Sequence, residues 1–156
     1  MVRLFGSIYK LWRHWWMLLA LIVCFGFIFA SPAEASLINN PVTEVKIDLG
    51  NAGNELKFFP NNLKFVADKP YKLIVNNPSP QKHYFTAKDF ADAIWTQKVQ
   101  DGKIEVKGAI HEIEIQPGAQ AEWVFVPLKS GTYSLRCPIA GHTEAGMTGQ
   151  IAISAE

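Results

Sequence analysis

The chain has 156 residues, with 15 Lys and Arg against 14 Asp and Glu, a net charge of +1, and two cysteines. So even a balance lacks the electrostatic footprint of a nucleic-acid binder. The length suits one domain with a single buried core. At the N-terminus, Arg3, Lys10 and Arg13 precede an apolar run from Trp15 to Ala30, and Ala33-Glu34-Ala35 follows as an Ala-x-Ala site. This layout predicts a secretory signal peptide over residues 1–35, cleaved after Ala35, with the folded domain at 36–156. The alternative is an uncleaved membrane anchor. The run is short for a full span, although Trp12 and Trp15 would extend it at the interface. Val23 and Phe25 argue against a lipid on Cys24. After cleavage the charge becomes −1 and Cys137 is the one remaining cysteine, so no internal disulfide forms. A single thiol in an exported domain needs protection. Permanent metal ligation is one answer, and a reactive or intermolecular thiol is another.

Residues 36–41 read as a polar lead-in. Thr43 to Leu49 alternates polar and apolar residues, the pattern of a half-buried strand. Leu56–Phe59 and Leu63–Val66 are two short strands about a Pro60-Asn61-Asn62 turn. Tyr71–Asn76 is a further strand, ended by Asn77-Pro78-Ser79-Pro80. Thr86 to Asp89 resembles a capping box, and Phe90, Ala93, Ile94 and Gln97 then fall at helical spacing. These signals predict one helix over 87–98, while 99–106 fits either a strand or a loop. Strands at His111–Ile115, Ala121–Val126, Gly131–Arg136 and Gly149–Ser154 complete the chain. Short strands at this spacing, with turn signals between them, predict an all-β sandwich with one short helix in an inter-strand insertion.

Between the last two strands lies a run carrying Cys137, His142 and Met147. A thiolate, an imidazole and a thioether in one loop are soft and borderline ligands that suit copper. A second imidazole stands upstream at His83, beyond the strand Tyr71–Asn76. His83, Cys137, His142 and Met147 together make the donor set of a blue-copper centre, with the Met as a weak axial ligand. Each residue also has a plainer reading: Cys137 as a small buried hydrophobe, His142 as a loop histidine, His83 as a partly exposed polar residue, Met147 as core filler. His111 shares a strand face with Ile113 and Ile115 by period-two counting, which makes it a core histidine before it makes it a ligand. Glu144 reads as solvated, and Trp95 and Trp123 as core.

From about Val42 to Ser154 the chain resembles a cupredoxin of the plastocyanin and azurin type. Three segments carry the resemblance: His83 after a strand ending in Asn76-Asn77, Gly131–Cys137 leading into the ligand loop, and Met147–Ile153 leading out. The resemblance implies a Greek-key β-sandwich with one copper per chain near one end. It makes His83, Cys137 and His142 the equatorial ligands and Met147 the axial one. Four residues separate Cys137 from His142, and four separate His142 from Met147. Plastocyanins have the shorter first gap and azurins the shorter second, so this loop is longer than either. The segment 86–110 also exceeds a minimal plastocyanin and is a candidate wall for the site.

The resemblance implies a one-electron carrier, not an enzyme. It would act as a monomer in a periplasm or thylakoid lumen. Redox protein partners would dock on the apolar surface of Pro138, Ile139, Ala140 and Ala145 around His142, with no nucleic-acid partner and membrane contact only through an uncleaved N-terminal segment. Two other functions stay open on the residues alone: a copper redox enzyme acting on a small molecule, and a copper storage or delivery protein. A trinuclear oxidase cluster needs more histidines than the four present.

Overall fold

The computed structural model describes residues 41–155. The signal-peptide reading of residues 1–35 lies outside them. Eleven strands and one short helix follow in chain order among the described residues: β1 (Thr43–Leu49), β2 (Phe58–Phe59), β3 (Asn62–Val66), β4 (Tyr71–Asn76), β5 (His83–Thr86), α1 (Lys88–Ala91), β6 (Ile94–Gln100), β7 (Glu105–Val106), β8 (Glu112–Ile115), β9 (Gln120–Pro127), β10 (Gly131–Arg136) and β11 (Thr148–Ser154). They form two sheets, in the orders β2-β1-β4-β9-β6-β7 and β3-β11-β10-β5-β8. The fold is the expected β-sandwich.

Alternation builds the interior. Along β9, Ala121, Trp123 and Phe125 point inward, while Glu122 and Val124 between them are half-buried. The facing sheet contributes Phe65, Phe85, Leu135, Ile151 and Ile153. At the centre Phe90 packs edge-on against Trp123 and Phe125, with ring centroids 5.9 and 5.4 Å apart. It also stacks on Phe65 at 5.8 Å. Such aromatic pairs add roughly 0.5–1.5 kcal/mol each beyond the area they bury.

The interval 87–98 departs from expectation. Its helix is one turn long and ends at Ala91, and Ile94–Gln100 is a strand. The physical cause is a bulge between Thr96 and Lys98, where β6 pairs with β9. A bulge inserts one residue and shifts the inward face by one position. Ile94, Thr96 and Val99 are therefore buried at uneven spacing, which resembles a helical period. Trp95 faces outward and is 58% exposed, so it is not core, whereas Trp123 is. Nor is Thr86 a helix cap. It ends β5, and its hydroxyl donates to the Glu112 carboxylate at 2.7 Å. The segment 99–106 supplies the end of β6 and the two-residue β7, paired at Val99–Val106 and Gln100–Glu105. The insertion thus extends a sheet edge.

Candidate metal centre

Three elements converge at one end of the sandwich. β4 runs out at Asn76, and the buried amide of Asn77 pins the following loop: it donates to the carbonyls of Gln81 at 2.9 Å and Ile115 at 2.8 Å. Its oxygen accepts the Ser79 N–H at 3.0 Å. The loop then delivers His83 as the first residue of β5. β10 ends at Arg136, which places Cys137 beside the start of β5. The Tyr84 N–H donates to the Cys137 sulfur at 3.5 Å.

The run after Cys137 is closed by its own backbone. The Cys137 N–H donates to the Met147 carbonyl at 3.1 Å, and the Met147 N–H donates to the His142 carbonyl at 2.9 Å. The Thr143 hydroxyl donates to the Cys137 carbonyl at 2.8 Å. Gly141 and Gly146 take φ of 86° and 99°, a region costly for other residues, so the loop turns tightly at both.

The result brings His83, Cys137 and His142 together, their donor atoms all within 4.8 Å of one another. The Cys137 sulfur lies 4.0 Å from Nδ1 of His83 and 3.5 Å from Nδ1 of His142. The two imidazole centroids are 5.1 Å apart. Met147 is fully buried in the adjoining core, its backbone tied to Cys137 and His142. His83 and Cys137 are 0% exposed, and His142 is 7% exposed. Burial, and behind it the neighbouring His142, lower the His83 pKa from 6.5 to about 4. Its ring is thus neutral at neutral pH and keeps a lone pair to give. A thiol with two converging imidazoles, one held unprotonated, fits a copper ion in chemistry and in spacing.

His111 is not part of the cluster. It lies just before β8 and is exposed, with Nε2 2.7 Å from a carboxylate oxygen of Asp92. The inward face of β8 begins only with the half-buried Ile113, so the period-two expectation of a core histidine fails at the strand end. Glu144 is exposed, as expected. Sequence reasoning missed Asn77, Ser79, Asn54 and the Tyr84 amide. Asn77 and Ser79 stand in a stretch rich in turn formers, and that was the one signal they carried.

A two-sheet β-sandwich with a Cys and two His gathered at one end is a cupredoxin. The sulfocyanin (SoxE) domain matches residues 73–156, and the chain belongs to that family. Its cofactor is copper, and among the described residues His83, Cys137 and His142 are the cluster able to take it. No curated protein shows a significant sequence match. Among solved structures, the dithionite-reduced auracyanin of the photosynthetic bacterium Roseiflexus castenholzii is 16% identical, covering 72% of this chain and 97% of that one, with a TM-score of 0.50. The McoA multicopper oxidase of Aquifex aeolicus is 13% identical, covering 74% of this chain but 30% of its own, with a TM-score of 0.57. The copper-containing nitrite reductase of Thermus scotoductus is 13% identical, covering 72% and 31%, with a TM-score of 0.53. These likenesses show the shared fold. The chain spans under a third of the two enzymes.

Proposed function

We propose that this protein is an exported, monomeric one-electron carrier in which His83, Cys137, His142 and Met147 would hold a single type 1 copper. One observation carries the reading: three buried soft and borderline donors converge, and one of them, His142, reaches the surface. Copper supplies one-electron redox chemistry when bound to such a set. The chain's own residues do the rest. β5 and β10 hold His83 and Cys137 on a rigid scaffold, which suits a site whose ligands should move little between two oxidation states. The Tyr84 N–H donates toward the sulfur and spreads the thiolate's charge.

His142 is the port. Around it Pro138, Ala140 and Ala145 are exposed and Ile139 is half-buried. An apolar rim lets a redox partner approach without stripping water from charged groups. The near-complete burial of His83, Cys137 and His142 favours a carrier over an enzyme acting on a small substrate. The Ala33-Glu34-Ala35 site supports export.

The test is the visible spectrum of copper-loaded protein. The intact site should show intense thiolate-to-copper absorption, and Cys137→Ala should abolish it. Colour retained in Cys137→Ala would rule the ligand assignment out.

A further inference from the structure

We infer that Ser79, with Asn54 behind it, is the positioning residue that decides which ring nitrogen of His83 faces the metal as a free donor. The inference rests on the reading of His83 as a ligand. It deepens that reading by asking how a buried imidazole is kept in one tautomer.

The Ser79 Oγ lies 3.0 Å from Nε2 of His83. Both residues are buried, so no solvent competes at this contact. A hydroxyl can donate or accept, and the destination of its own hydrogen settles which. That hydrogen goes to Asn54. The Asn54 Oδ1 stands 3.3 Å from the Ser79 Oγ and, as a carbonyl oxygen, it can only accept. The Gln81 side-chain amide donates to the same oxygen at 2.8 Å. The Gln81 backbone N–H donates to the Ser79 Oγ at 3.3 Å. Toward His83 the hydroxyl therefore has only a lone pair to offer. Nε2 must carry the proton, and Nδ1 keeps its lone pair. Nδ1 is the nitrogen that lies 4.0 Å from the Cys137 sulfur.

The loop between β1 and β2 is shaped to hold this arrangement. Gly50 has φ of +73°, and a Cβ there would stand 2.9 Å from the Ser79 Cβ and 3.0 Å from Nε2 of His83. The backbone thus lies directly against the contact, and no side chain fits between. Asn54 has φ of 61°, a conformation that Asn tolerates better than most residues. Its amide enters the bracket from that turn. An acceptor on Nε2–H also makes Nδ1 a better donor, as partners of ligating histidines do in general.

The test uses the full chain and three variants. In the copper-free protein, long-range nitrogen–proton NMR should find His83 wholly protonated on Nε2. Asn54→Gly suits the left-handed turn and leaves Ser79 and His83 in place, but it frees the hydroxyl hydrogen. It should give a mixture of tautomers. Asn54→Asp keeps an acceptor for that hydrogen and should preserve the Nε2–H form. Ser79→Ala should also mix the tautomers, weaken copper binding by roughly 10- to 100-fold and raise the reduction potential. A proton on Nδ1 in the unaltered protein overturns the inference, as does an unchanged tautomer in Asn54→Gly together with unchanged copper affinity in Ser79→Ala. Copper(I) loading separates the two levels. If it leaves the His83 resonances unmoved, the ligand reading itself fails. If it moves them while the variants behave like the unaltered protein, the role of Ser79 alone is lost.

Discussion

Copper-free protein should lose stability on acidification in a window set by His83. Burial, and the imidazole of His142 beside it, hold the His83 pKa at about 4, against an ordinary value of 6.5. Between those two values the unfolded chain binds a proton that the folded state refuses, so stability falls as pH falls. The contribution is whole above 6.5 and lost once the pH has dropped through about 4. A separation of about 2.5 pH units, at about 1.36 kcal/mol per unit, amounts to about 3 kcal/mol. About 2 kcal/mol of it should be gone by about pH 5, before most carboxylates titrate. That is a large share of the roughly 5–15 kcal/mol by which domains are stable. Urea unfolding of the copper-free chain at stepped pH measures the loss, with His83→Gln as the reference that cannot take up the proton. The unaltered protein should lose about 2 kcal/mol more than the variant between about pH 7 and pH 5. Parallel profiles for the two would refute the reasoning.

Other outcomes follow from the packing. Phe90→Ala removes a fully buried ring with three ring neighbours within 6 Å, at 5.4, 5.8 and 5.9 Å, and should cost about 3–5 kcal/mol in urea unfolding. Trp95→Thr replaces a residue that is 58% exposed and should change stability by no more than about 0.5 kcal/mol, because an outward strand position has no cavity to leave. Ile139→Lys puts a charge on the rim of His142 and touches no proposed ligand. It should keep the copper spectrum and slow stopped-flow electron exchange with the native redox partner, and equal rates across ionic strengths would mean that the partner docks elsewhere.

The legible parts of the fold are those where a strand pattern runs unbroken. β1, β4 and β10 have the bounds read from their residues: β1 and β10 alternate, β4 is a short apolar run of a strand buried on both faces, and turn formers bracket all three. Of the three, only β4 reads as a strand without alternation. β6 was illegible because the bulge at Thr96/Lys98 breaks the period inside a strand. β5 was hidden by its four-residue length and by a Thr that resembles a cap. At the site, the donors could be read because thiol, imidazole and thioether are rare residue types and three of the four share one loop. Their supports could not. Asn77 bonds Ile115 across 38 residues, and Ser79 bonds Asn54 across 25, so neither partnership leaves a local trace in the sequence.

β10 and β5 meet in register at one position, Arg136 with Thr86. Beyond it toward the cluster, the Tyr84 amide donates to the Cys137 sulfur. The sheet is thus narrowest where it joins the pair β5 and β8 to the triplet β3, β11 and β10. His83 stands on one bank of this seam, and Cys137 and His142 stand on the other. An ion gripped from both banks acts as a clasp. It would leave only when the seam parts, so its escape rate should follow the opening of β5 and β8, read as amide hydrogen exchange. Retention of the metal becomes a matter of sheet mechanics as much as of ligand strength.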